Sequence, residues 1–418
     1  MDANTRPGRP RRSRLAVLAI STLGATLALA ACSSSGGNSP GAAGPSGGAS
    51  TQPSFTGTPA SSANPIEVGI LYTDDNPLGV SPEIKDAANA AATYINAHGG
   101  MGGRTVKIVA CNGQNNPQSD ARCATQFVNS KVVTVYGLDG LWGGIGVSVL
   151  QKAGLVNQTL PISGPEFSAP NSYPWEGSGV TSAAAAAAYA SQQGGKAACV
   201  YVDVASFKEQ CATYFGGVAK KLGVSYDMVA IPATANDVAQ YATKVAGTGA
   251  KTVLVVSGGT VAQQMVNSAG QIGFKTSWIL PSEQPDFFKA VGGNAKGLIF
   301  YGDLKSPDDP TDPDAALFRS VMHQYAPKAA YTSFSTMAFS NLMTLKAIAD
   351  KAGGAAITRQ NMPKLLNAIN VKQFMGSQLV ASQHLTEFPH AVHTGAYLYE
   401  WDGAKYVPAA KGYYQVPA

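Results

Sequence analysis

Apolar positions recur along this chain in two periods. Ile66-Glu67-Val68-Gly69-Ile70-Leu71-Tyr72 is a short apolar run of the kind that predicts a buried strand. A polar stretch, Thr73-Asp74-Asp75-Asn76-Pro77-Leu78-Gly79, separates it from an Ala-rich amphipathic helix through Ala87, Ala88, Ala91, Ala92, Tyr94 and Ile95. His98-Gly99-Gly100 ends that helix, because glycine alone takes a left-handed cap at no steric cost. A strand over Thr105–Ala110, a helix over Ser119–Asn129 and a strand over Lys131–Gly137 follow. Strand and helix in alternation predict a parallel sheet, which places ligands at the carboxyl ends of its strands.

The same rhythm resumes further on. A helix is expected from a hydroxyl cap at Thr181 or Ser182 through Ala183–Ala188 to Ala190. Strands are expected at Ala198–Val204, Tyr226–Ile231, Lys251–Ser257, Ser277–Pro281 and Gly297–Tyr301, with helical patterns between them. Thr394–Trp401 and Lys405–Val407, split by Asp402-Gly403, predict a closing hairpin. About 350 residues are too many for one ordinary core, so two lobes are expected.

The front of the chain follows other rules. Met1–Ala31 has a basic start (Arg6, Arg9, Arg11, Arg12, Arg14) and an apolar run, Leu15–Ala30, that reads as a targeting segment. Leu29-Ala30-Ala31-Cys32 is similar to a bacterial lipobox, which implies lipidation of Cys32; an ordinary signal peptide with an incidental cysteine is the alternative. Arg11-Arg12 leaves the export route open between the general and the twin-arginine pathways. Ser33–Pro65 consists almost wholly of Ser, Gly, Ala, Pro and Thr, a flexible tether with an r.m.s. span of about 30 Å. The formal charge of +5 resides mainly in the targeting segment, whose five Arg and one Asp leave the remainder at +1. No basic cluster with interleaved aromatics is present, so nucleic acid is not an expected partner.

Four cysteines remain after Cys32, and Cys111/Cys123 and Cys199/Cys211 share a spacing of twelve residues. Three pairings are open; the repeated spacing favours the two local disulfides in an exported protein, with metal binding as the rival.

The phrase Ile95-Asn96-Ala97-His98-Gly99-Gly100-Met101-Gly102-Gly103-Arg104 resembles the signature of type I periplasmic solute-binding proteins. Within these, it is closest to the leucine/isoleucine/valine-binding branch that serves ABC transporters. Cys111-Asn112-Gly113-Gln114-Asn115-Asn116-Pro117 and Ala121-Arg122-Cys123 extend the likeness, which runs from Ile66 to about Tyr406. It implies an α/β protein of two Rossmann-like lobes with parallel sheets, joined by a three-crossing hinge. Lobe 1 would span 66–180 and be completed by about 305–372; lobe 2 would span 181–304 and be completed by 373–418, with recrossing near Gln373.

The resemblance also implies where a ligand sits. In lobe 1 the loops are Tyr72-Thr73 onward, Gly137–Gly144 with Leu141 and Trp142, and Ser163-Gly164-Pro165-Glu166-Phe167-Ser168. Leu141 or Trp142 stands where relatives present a serine, and Glu166-Phe167 stands near a small residue and a threonine. Those departures weaken the case for an α-carboxylate, and Trp142 and Phe167 suggest a flatter or more apolar ligand; packing inside a lobe is the alternative for both aromatics. Lobe 2 offers Glu283-Gln284, with Glu283 matching the acid that holds the ligand's ammonium, while Phe207 and Tyr331 are further candidates for the cleft wall.

Outside the Ser/Gly-rich tether no GxSxG occurs, no P-loop, GxGxxG or HExxH is present, and Glu176-Gly177-Ser178-Gly179 fails as an elbow. His384, His390 and His393 read as solvated loop residues rather than a metal site. The expectation is therefore an extracytoplasmic, lipid-anchored receptor, without enzyme activity or cofactor, that delivers a small molecule such as an amino acid to ABC permease subunits. A sensor of a signalling system, a receptor for an amide or aromatic compound, and a hydrolase on the same scaffold are the alternatives.

Overall fold

The computed structural model describes residues 58, 60–74, 81–114, 116–137, 143–158, 160–161, 164–281, 287–384, 388 and 390–416. Cys32 and its surroundings lie outside them.

The first lobe opens with β1 (Ser61–Tyr72), α1 (Pro82–Ala97), β2 (Arg104–Asn112), α2 (Pro117–Asn129), β3 (Val132–Gly137), α3 (Gly143–Lys152), β4 (Val156–Asn157) and α4 (Gly164–Ser168). Its sheet is wholly parallel, in the order β2-β1-β3-β4. β1 begins earlier than expected, but its regular ladder with β2 starts at Ile66, where the apolar run starts. The fourth strand is short, Val156–Asn157. The N–H groups of Gln158 and Leu160 still bond to the β3 carbonyls of Val135 and Gly137.

The chain crosses to the second lobe through α5 (Ser178–Gln193), β5 (Ala197–Val202) and α6 (Ala205–Glu209). A π-helical turn (Gln210–Phe215), α7 (Gly216–Lys221), β6 (Tyr226–Ile231), α8 (Ala239–Gly247) and β7 (Thr252–Val256) follow. α9 (Gly259–Gln271), β8 (Ser277–Leu280), α10 (Phe287–Val291) and β9 (Ile299–Gly302) complete this passage. It then returns to the first lobe for α11 (Pro313–Tyr325), α12 (Ser333–Ala352), α13 (Met362–Asn367) and the small ladder β10 (Asn370–Lys372) with β11 (Gln378–Val380). Met375, Leu379 and Val392 still pack in the first core, so the third crossing lies just beyond Val392 and not near Gln373. The last strands, β12 (Gly395–Trp401) and β13 (Tyr406–Gln415), add antiparallel to β9 and give the order β13-β12-β9-β8-β7-β5-β6.

α5 starts one turn before the expected hydroxyl cap: its N-cap is Gly177, which offers no side chain. Ala183–Ala187 are buried, and they pack with β5, β12 and β13 residues in one core. Side chains this small let a helix lie close against a sheet. Val200, Val253, Val255 and Leu280 pack on the other face, under α8, α9 and α10.

The glycine-rich phrase Ile95–Arg104 forms a corner. Gly100 and Gly102 have φ of 72° and 56°, and a Cβ at either would fall 2.1 Å from Arg104 O or 2.2 Å from Gly354 N. The Arg104 guanidinium donates to the carbonyls of Asn64, Pro65, Gly354 and Ile357, tying the start of β1 to the end of α12. The phrase that carries the likeness thus forms a structural corner.

Cys111–Cys123 and Cys199–Cys211 are disulfides, each with Cα atoms 5.6 Å apart. The first ties β2 to α2 and the second ties β5 to the π-helical turn. Replacing both cysteines of either pair by serine is expected to cost about 3 kcal/mol, read as a lower denaturant midpoint at unchanged slope.

Candidate functional site

Of the expected ligand residues, Leu141, Trp142, Ser163, Glu283 and Gln284 lie outside the described residues. The others are placed as follows. Tyr72 ends β1, half-buried, with the Lys85 ammonium 4.5 Å from its ring centre. Thr73 is fully buried and its carbonyl accepts from Ser81 N at 2.7 Å, which folds the chain back into α1. Gly164 is exposed at the start of α4. Glu166, in a loop expected to meet the ligand, is 1% exposed. Phe167 is buried with Val180 and Ala391, its ring 4.6 Å from that of Phe388; it belongs to packing rather than to an open wall. Phe207 rests half-buried on the second core.

Tyr331 is different: it is 39% exposed and edges a cavity of about 100 Å³. The first turn of α12 forms one wall through Thr332, Thr336 and Met337. Phe300, Tyr301, Tyr399 and Tyr406 of β9, β12 and β13 form the other, and the second crossing, Asp303 to Asp308, runs between them. Residues of both lobes therefore line one pocket, aromatic in its walls and hydroxyl-bearing at one edge. Lys305, the cation of the lining, pairs with Asp312. Burial opposes the Asp312 charge, but the Lys305 ammonium and the N–H groups of Ala315 and Asp314 hold its carboxyl below the usual range.

Thr332 anchors the α12 wall. Its hydroxyl accepts from Ser335 N at 3.2 Å and donates to Glu83 Oε1 at 2.9 Å, joining the starts of α12 and α1. Tyr301, Tyr399 and Tyr406 were not legible as site residues. The period-two run Tyr397, Tyr399, Trp401 marks one aromatic strand face, but the neighbour that face meets is set by the fold.

Beside the pocket the three crossings meet in a buried polar cluster. Asp303 of the second crossing is 3% exposed, and its Oδ1 accepts from Gly177 N and Ser178 N at 3.1 Å and from Thr181 Oγ1 at 3.2 Å. His393 of the third crossing is fully buried, with Nε2 3.5 Å from the same oxygen. Glu176 of the first crossing is fully buried and accepts from Gln373 Nε2 at 3.1 Å. Burial holds His393 below the usual imidazole range, against the pull of Asp303. The expectation of solvated loop histidines fails here, and also for His390, whose ring stacks on Tyr173 at 4.4 Å. No group of three metal-ligating side chains occurs among the described residues.

Three crossings beside a pocket lined by both lobes make up the geometry of the candidate site. Residues 65–405 match the family model described as periplasmic binding protein, and the chain belongs to that family. A fatty acid ABC transporter substrate-binding protein from Thermomonospora curvata superposes with a TM-score of 0.70 at 17% identity, over 87% of this chain and 97% of that one. A solute-binding protein of an ABC transporter from R. palustris, in complex with benzoate, gives 0.63 at 17% identity over 82% and 95%. The branched-chain amino acid transporter substrate-binding protein LivJ from Streptococcus pneumoniae, in complex with isoleucine, gives 0.64 at 18% over 82% and 97%. Comparison with curated protein sequences finds no match.

Thr332→Ala removes both a helix cap and the Glu83 bond, and is expected to cost about 1–2 kcal/mol in a denaturant titration. Thr332→Ser keeps both hydroxyl bonds and should retain most of that stability.

Proposed function

We propose that this protein is an extracytoplasmic receptor, anchored by lipid at Cys32, that closes around a small molecule and presents it to ABC permease subunits. The pocket shared by α12 of one lobe and β9 and β12 of the other is the observation that carries the reading. A ligand touching both walls gains more contacts when the lobes close, so it favours the closed form by its differential affinity. The cysteine after an apolar leader and the uncharged tether support an anchored body held about 30 Å from a membrane. Tyr72, Thr73, Gly164, Phe207 and Tyr331 remain proposed cleft residues with Leu141, Trp142, Ser163, Glu283 and Gln284; Glu166 and Phe167 would support the wall from behind.

The ligand class divides into two readings. An amino acid needs Glu283 as partner for its ammonium. An uncharged or aromatic compound fits the described walls better, since Phe300, Tyr301, Tyr331, Tyr399 and Met337 supply apolar surface and the Lys305 charge is already matched by Asp312.

Thermal-shift and calorimetric titration of the full chain with isoleucine, benzoate, a fatty acid, amides and nucleosides decides between them. Isoleucine binding abolished by Glu283→Ala supports the amino-acid receptor. Binding confined to ring compounds and weakened at least about tenfold by Tyr331→Ala supports the second reading. A chain that binds none of these compounds overturns the receptor reading.

A further inference from the structure

Taking the protein as a receptor that closes by its hinge, we propose that Glu176 and Asp303 share one proton where the three crossings meet, and that losing it loosens closure of the lobes. Each crossing places one ionisable side chain in a common dry cluster: Glu176, Asp303 and His393, none more than 3% exposed.

The two carboxyl groups are held by different lobes. Glu176 follows Trp175, which is in the first core, and its carboxyl accepts from Gln373 at 3.1 Å, next to the α12 side chain of Asn341. Asp303 ends the passage through the second lobe and bonds to the first turn of α5. That turn presents two N–H groups, a hydroxyl and the positive end of a 16-residue helix, all of which favour an ionised Asp303. Glu176 has neutral amides as partners and the Asp303 charge nearby, so the proton resides on Glu176.

The other titratable groups facing the pair do not supply a cation. Tyr136 of β3 faces Glu176, and Tyr301 of β9 and Tyr413 of β13 face Asp303; burial keeps each phenol neutral. Burial holds His393 below the usual imidazole range, so it supplies no cation at neutral pH; its Nε2 lies 3.5 Å from Asp303 Oδ1. With the proton in place the cluster carries one negative charge. Release of the proton to solvent leaves two, one fixed to each lobe, in a region of low dielectric.

The geometry agrees with the direction in which the two acids are displaced. Burial, then the Asp303 charge, pushes Glu176 well above the usual carboxylate range; burial pushes Asp303 up, tempered by His393. An acid raised in the folded state contributes stability that is fully present below its unfolded value, about 4.3, and is lost as pH climbs from there to its folded value.

Small-angle scattering and thermal unfolding of the full, ligand-free chain between pH 6 and pH 9 test this. For the wild type we expect the radius of gyration to increase with pH and Tm to fall by roughly 2–4 °C. In Glu176→Gln, which keeps shape but never ionises, both should stay level. A wild type without the slope, or a variant with the same slope, overturns the proposal. Should the variant fail to fold, carboxyl-carbon NMR of the glutamate-labelled wild type decides: one glutamate titrating far above about 4.3 is expected, and all of them near that value would overturn it. No readout requires a ligand, so a chain that shows the slope but binds no screened solute would sink the receptor reading and leave the pivot standing.

Discussion

Helix α5 begins at a glycine that offers no cap, and a carboxylate from another part of the chain supplies it. The first N–H groups of a helix have no internal partner, and burying them without one costs more than the bond itself returns. Asp303, 125 residues from Ser178, accepts two of them. That one contact joins the first crossing to the second, while His393 brings in the third. The separation of two sheets into lobes that still share one pivot depends on it.

Ser178 has φ of 46°, in the left-handed region that non-glycine residues rarely occupy. The backbone there turns sharply from Trp175, packed in the first core, to Val180 beside Phe167. The bonds from Asp303 to Gly177 N, Ser178 N and Thr181 Oγ1 over-determine that conformation, which is how a strained residue persists in a fold. The pocket inherits its position from the same turn, because Asp303 lies at its base and Tyr331 at its edge.

Much of the fold was legible. Alternating apolar runs and amphipathic helices placed β2, β3 and the strands from β5 to β9 within a few residues, and the twelve-residue cysteine spacing identified both disulfides. One error has a plain physical cause: an acid distant in sequence moved the start of α5 forward by one turn. The site was less legible. Tyr331 was expected at a cleft and lines the pocket, but Glu166 and Phe167 are buried.

Periodicity and spacing are local properties, and by themselves they determined most of the elements, the parallel strand–helix alternation and the glycine stop at His98-Gly99-Gly100, and they favoured the observed cysteine pairs. Which aromatic residues face one another across two lobes, and which acid, amide and imidazole meet in one dry cluster, only the tertiary structure decided. Tyr301, Tyr331 and Tyr399, like Glu176, Asp303 and His393, are scattered over the chain and brought together by three crossings. Burial, which sets their charge and their chemistry, exists only once those crossings are made.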